Sequence, residues 1–282
     1  MIRSHALRNA LHTVVLVGAM GGLAWVTLDH VLGPRAMTLL FGLAGISLLV
    51  SLVRPRRMRL PRGTPIERLD RTRFPLGADL MERLSRRAGL RRPPALYRVK
   101  SDSLNAMAVG GGRKSAVVIT DTLLAALGPR ELEAILAHEI AHIAHRDLRV
   151  LDLAARIGGL LAVAGRLGIL LLLLSLGAEA LGMRVFGWET YVPLLLAPLL
   201  GGLLQRGLSR VREFDADRGA LALTQDPKGL IAALNTLGPG QGGLRDTHPS
   251  RAARIARIRR IAQKQPGGAG DVHETHPRAG IA

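Results

Sequence analysis

Two histidines one helical turn apart, with a glutamate beside the first, stand near the middle of the 282-residue chain: His138-Glu139-Ile140-Ala141-His142. A helix turns about 100° per residue, so His138 and His142 share a face and can offer two imidazoles to one Zn²⁺, with Glu139 next to the pair. Zinc held by three protein ligands keeps a fourth position open for water, whose pKa falls to about 7, so that a neighbouring carboxylate can draw off its proton near neutral pH. Glu139 is placed to be that general base. His145 lies three residues after His142 on the same side of the helix. Three ligands on adjacent turns would crowd one side of a tetrahedron, so His145 is read as a neighbour of the site or a surface residue. Asp147 is read as a local hydrogen-bond acceptor.

A zinc helix needs a third ligand from elsewhere in the fold, and an acceptor to fix the tautomer of a ligating histidine. Arg212-Glu213-Phe214-Asp215-Ala216-Asp217 contains candidates for both. Glu213 and Asp217 are one helical turn apart, so their carboxylates can face the same object. The competing reading is a salt-bridged surface helix, because Arg210, Arg212 and Arg218 surround the two acids.

The elements that must position these groups follow from local pattern. Gly128 and Pro129 start the histidine helix, with Glu131 and Glu133 favourable at its positive end. A short helix over 121–127 precedes it. Before that come three strand-like pieces, 95–99, 105–109 and 116–120, the last two joined by a turn through Gly110, Gly111 and Gly112, which predicts a small antiparallel sheet. No helix start follows that glycine run, so turn chemistry is preferred to a phosphate loop. A sheet packed beside the histidine helix can pair its exposed edge with an extended peptide through backbone hydrogen bonds.

Oil and charge are segregated along the chain. Its residues are 48% hydrophobic, yet its formal net charge is +18, and its mean hydropathy is positive at +0.22. Eight aromatic side chains and no recognisable nucleic-acid module argue against nucleic acid as the counter-surface and for anionic lipid headgroups. The absence of cysteine removes disulfides and thiolate ligands from consideration and fits a reducing cytoplasmic face. Apolar runs over 10–28 and 36–53 predict an N-terminal transmembrane hairpin (1–53) rather than a cleaved signal peptide. Residues 54–100 carry 15 Arg or Lys against Glu67, Asp70, Asp79 and Glu82, which places this segment on the cytoplasmic side by the positive-inside rule. Within it, 76–88 reads as an amphipathic helix. Further apolar runs over 158–183 and 185–204 predict a second hairpin, its first span nearer 167–180 with Arg166 snorkelling. Its second span is short and interrupted by Pro193 and Pro198, either kinked or re-entrant.

The joint order of motifs resembles the HtpX-like membrane zinc endopeptidases, relatives of the CAAX prenyl endoproteases. His138-Glu139-x-x-His142 is followed, after a membrane hairpin, by Arg212-Glu213-Phe214-x-Ala216-Asp217, then by Thr247-His248-Pro249 with Arg254 in the next helix. The resemblance implies a gluzincin-type site with one Zn²⁺ per chain on His138, His142 and Glu213, Glu139 as base, and Asp217 holding a ligating histidine. It also implies a substrate-binding strand at Asn105-Ala106, and His248 and Arg254 near the active site, with His248 available to stabilise the oxyanion and Arg254 to bind substrate. Thr275-His276-Pro277 repeats the tripeptide, but in a tail rich in glycine and proline with no helix after it, so His248 is preferred.

The expected protein is an α-helical membrane protein with four transmembrane segments and an α+β zincin-like catalytic domain split over 54–157 and 205–262. The second hairpin lies between at 158–204, and a disordered tail covers 263–282. Its expected activity is zinc-dependent endoproteolysis at the cytoplasmic face of a prokaryotic inner membrane. The expected partners are the lipid bilayer and unfolded or damaged membrane proteins, as the resemblance to quality-control and stress-response proteases implies. Rival readings are a proteolytically silent zinc-binding scaffold, a basic membrane-surface module with an accidental metal motif, and a protease of prenylated peptides. The intact Glu139 argues against the first, and Glu213 and Asp217 against the second.

Overall fold

The computed structural model describes residues 11, 13–27, 29, 65–110, 114–183, 186–237 and 249–263. An apolar helix α1 (Thr13–Thr27) comes first. There follow β1 (Ile66–Arg68), α2 (Pro75–Arg87), β2 (Ala95–Val99), β3 (Ala106–Val109), β4 (Ala116–Thr120), α3 (Asp121–Ala126) and α4 (Pro129–His145). The described residues end in α5 (Asp147–Ala180), α6 (Trp188–Thr224), α7 (Pro227–Thr236) and α8 (Arg251–Gln263).

The sheet has the order β1-β2-β4-β3. Its strands are not all antiparallel as expected: β2 runs parallel to β4, with Ala95 opposite Ala116 and Val99 opposite Thr120, while β3 and β1 pair antiparallel with β4 and β2. The reason is the path of the chain. After β2 it crosses to the far side of the β4 position, lays down β3 as an edge, and returns through the hairpin between them. β4 is therefore interior, and all five of its residues are buried, in keeping with the unbroken apolar run Ala116-Val117-Val118-Ile119. The sequence reading missed β1, because three residues with two charges, Glu67 and Arg68, carry no alternation to detect.

Beneath the sheet, α2, α4, α6, α7 and α8 close one core around Leu84, Ile119, Leu136, Ile140, Leu230 and Ile258. The amphipathic reading of 76–88 agrees with α2, which buries Leu80, Met81 and Leu84. α7 is pinned at its start by Asp226, whose Oδ1 accepts the Gly229 amide at 2.9 Å and whose carboxylate pairs with Arg130 of α4. Asp226→Ala removes this cap, and the expected loss is about 0.5–2 kcal/mol, read as a lower midpoint in thermal unfolding of the detergent-solubilised chain.

Among the described residues the two longest helices, α5 at 34 residues and α6 at 37, are long and apolar enough to cross a membrane. Large apolar side chains such as Ile169, Leu173, Leu174, Leu199 and Leu203 point outward from them. They pack closely on one another: a Cβ at Gly168 would lie 2.7 Å from the Leu194 Cβ. Both run past the expected domain edges at 157/158 and 204/205, so each joins an apolar span to the functional site without a break. Pro193 and Pro198 sit inside α6, which runs on through both; a proline removes one hydrogen bond, and packing against α5 holds the helix together across the gap. α1 joins this bundle through Met20 and Ala24, which pack with Ala154, Leu208, Leu161 and Ala197. The second expected span (36–53), the basic residues before 65, most of the glycine turn, His248 and the tail after 263 lie outside the described residues.

Candidate metal centre

α4 begins at Gly128, whose amide donates to the Glu131 carboxylate at 3.0 Å, and Leu132, Ile135, Leu136 and Ile140 bury its inner face. That burial sets the rotation of the helix and so the direction of His138 and His142. Their rings stand nearly perpendicular, at 88°, with the two Nε2 atoms 3.1 Å apart. Glu213 reaches the same point from α6: its Oε2 is 3.5 Å from His138 Nε2 and its Oε1 is 3.7 Å from His142 Nε2. Among the described residues, His138, His142 and Glu213 form the group able to hold a metal ion, each offering an atom within 4.8 Å of the others.

The far sides of both imidazoles are also held. His138 Nδ1 lies 3.1 Å from Asp217 Oδ1, and His142 Nδ1 lies 2.8 Å from Asp147 Oδ2. A carboxylate at Nδ1 keeps the proton there and turns the Nε2 lone pair toward the shared point. Burial works against a charged imidazolium, yet hydrogen bonds to Asp217 and Glu213 outweigh it and raise His138 to about 10, so that a metal ion would bind by displacing the Nε2 proton. The site therefore favours positive charge, and two nitrogens with one carboxylate oxygen suit a divalent cation such as zinc.

Arg254 of α8 sets the orientation of the acids. It donates to Asp217 from Nε at 2.9 Å and from Nη2 at 2.6 Å, and its Nη1 lies 3.3 Å from Glu213 Oε2. Arg254, which the resemblance implies binds substrate, lines the cleft and commits its guanidinium to the carboxylates that hold and supply the ligands. Glu139 lies in the same cleft, buried, and is not among the three converging donors. The cleft, of about 440 Å³, is walled by Asn105, Ala106 and Met107 on one side and by Leu230, Leu234 and Leu237 on another. Asn105 stands just before β3, its carbonyl accepting the Thr120 amide at 3.0 Å while its side chain stays exposed. His145 is exposed and Asp147 accepts locally, in agreement with their reading. The sequence reading did not find Arg212 as a partner of Asp147, at 3.0 Å; its place one residue before Glu213 was the signal.

α6 reaches α4 by close approach at one glycine. A Cβ at Gly219 would lie 2.6 Å from the Ala141 Cβ and 3.3 Å from His145 Cε1. Gly219→Val is expected to push α6 away from α4 and cost about 1–3 kcal/mol. Because Glu213 and Asp217 ride on the displaced helix, weaker metal binding in a chelator competition should accompany the lower unfolding midpoint; unchanged metal affinity would show that the two helices can separate without disturbing the donors.

Residues 77–262 match peptidase family M48. The chain is 29% identical over 280 residues to a protease HtpX homolog of Paraburkholderia phytofirmans, covering 95% of this chain and 93% of that one. It is 30% identical over 276 residues to a protease HtpX homolog of Burkholderia multivorans, with the same coverage. In fold it is similar to the crystal structure of S. mikatae Ste24p, with a TM-score of 0.50 and 18% identity, over 89% of this chain and 65% of that longer one.

Proposed function

Since the chain belongs to peptidase family M48 and is a metalloprotease, we propose that it is an integral-membrane, zinc-dependent endopeptidase acting on unfolded or damaged membrane proteins in protein quality control. The observation that carries this reading is the convergence of His138, His142 and Glu213 to within 4.8 Å, in a cleft that also holds Glu139 and the edge strand β3.

His138, His142 and Glu213 would hold the zinc ion. When bound, the ion supplies a Lewis acid for the scissile carbonyl and acidity for a water. Glu139 takes a proton from the attacking water onto its carboxylate and delivers it to the nitrogen of the leaving amine. Asp217 and Asp147 fix the imidazole tautomers, and Arg254 holds Asp217 and Glu213 in place. An extended substrate adds to the free edge of β3 at Asn105 and Ala106, and pairing through its backbone selects for unfolded chain rather than for a particular sequence. His248 is assigned to the oxyanion. The outward apolar faces of α5 and α6 support insertion in a bilayer, and the basic residues of 54–100 support a cytoplasmic catalytic side.

The test is cleavage of casein by the detergent-purified full chain, stripped of metal and then reloaded with zinc. Cleavage restored by zinc is the expected result. Stoichiometric zinc binding with no cleavage under either condition would replace the endopeptidase reading with that of a silent scaffold.

A further inference from the structure

We propose that Asp147 and Arg212 are positioning residues for His142, and that they couple the seating of the N-terminal helix α1 to the metal site. The inference rests on the reading of His142 as a metal ligand oriented by Asp147, and extends it to Arg212 and α1, which that reading does not use.

Asp147 lies five positions after His142, and on an uninterrupted helix the two would point about 140° apart. They meet only because the chain breaks between α4 and α5 at Arg146, which adopts φ 60° and ψ 29°, the left-handed region. A side chain other than glycine is held there against its preference. The turn lets α5 start at once with Asp147, whose carboxylate is directed back at the imidazole. Asp147 is fully buried, at 0% exposure, and both of its oxygens are engaged: Oδ2 with His142 Nδ1 at 2.8 Å and Oδ1 with Arg212 Nη1 at 3.0 Å.

A carboxylate taken wholly out of water needs a cation beside it, and Arg212, itself buried, supplies one. Its position immediately before Glu213 means that one turn of α6 sets both the third donor and the bracket on the second histidine. The arrangement parallels the pair on the other imidazole, where Arg254 holds Asp217 and Asp217 holds His138. It differs in where it leads. The second guanidinium nitrogen of Arg212 donates to Thr13 Oγ1, on the first turn of α1, and the same face of α1 packs through Met20 on Ala154 and Leu208. A continuous path, from half-buried Thr13 through buried Arg212 and Asp147 to His142, thus links a helix remote in sequence to a donor atom.

The experiment measures zinc affinity by competition with a chromophoric chelator, and the Co²⁺ ligand-field spectrum, on the full chain in detergent. The variants are Asp147→Asn, Arg212→Met, Arg212→Lys, Thr13→Val and the double variant Asp147→Asn/Arg212→Met, with His142→Ala as the control. Loss of an outer partner that orients a metal-bound histidine costs about 10–100-fold in metal affinity, which is the expectation for Asp147→Asn and Arg212→Met, with a shifted Co²⁺ spectrum. Arg212→Lys should recover much of the loss, and Thr13→Val should weaken binding in the same direction by less. The double variant removes both buried charges, so it keeps the fold where a single variant strands one of them, and its loss should fall short of the product of the single losses. If His142→Ala leaves zinc affinity intact, the reading of the site itself is wrong. If His142→Ala loses the metal while the folded Asp147 and Arg212 variants, singly and together, bind zinc within twofold of the parent with an unchanged Co²⁺ spectrum, the positioning role is overturned. A Thr13→Val protein indistinguishable from the parent would overturn the coupling to α1.

Discussion

Glu139→Gln is expected to lower cleavage of an unfolded protein by about 10²–10⁴-fold while the metal content stays at that of the parent. At 1.36 kcal/mol per tenfold this is about 3–5 kcal/mol of transition-state stabilisation. The substitution changes one oxygen to an amide nitrogen at nearly constant volume, so the packing of this buried residue survives and only its capacity to accept a proton is lost. Metal retention is expected because Glu139 is not one of the three donors that converge within 4.8 Å. Casein turnover and metal analysis on the same preparation check both halves. Undiminished turnover would mean that another group in the cleft serves as base, and loss of the metal would mean that Glu139 supports the ligands instead.

The second large effect is expected at Glu213. Glu213→Ala removes the donor that α6 brings to the histidine pair, and metal occupancy should fall far beyond the roughly 10–100-fold associated with losing an outer partner. The fold should survive it. Arg254, which contacts Glu213 at 3.3 Å, keeps its two hydrogen bonds to Asp217, so no buried cation is stranded. Glu213→Gln separates charge from geometry, since it keeps an oxygen donor in the same place. Metal content after dialysis against graded chelator gives the answer, and full occupancy in Glu213→Ala would reject the assignment of the third ligand.

Much of this protein was legible because its signals are local. The bounds of β2 and β4 coincide with the strand-like runs at 95–99 and 116–120, where β-branched and apolar residues sit between turn signals. α4 was legible from Pro129 at its start and the apolar spacing behind its histidines. Signals that depend on a partner misled. Pro193 and Pro198 read as interruptions, yet α6 continues through both because α5 supplies the packing that a lone helix lacks. The parallel pairing of β2 with β4 was hidden for a similar reason: strand direction is settled by the side on which the chain returns, and no residue in either strand encodes it.

By itself the sequence determined the donor types, the one-turn spacing of His138 and His142 and of Glu213 and Asp217, and the separation of apolar spans from basic connectors. Periodicity suffices for these, since positions along one helix have fixed relative directions. Only the tertiary structure decided which carboxylate meets which imidazole. Asp217 reaches His138 because α6 comes close to α4 at Gly219 and Ala141, and Asp147 reaches His142 because the backbone turns left-handed at Arg146. Arg254 and Arg212 arrive from α8 and α6 to hold those acids. Such meetings depend on distances between helices, which are set by packing across the whole core and leave no trace in the spacing of residues along any one of them.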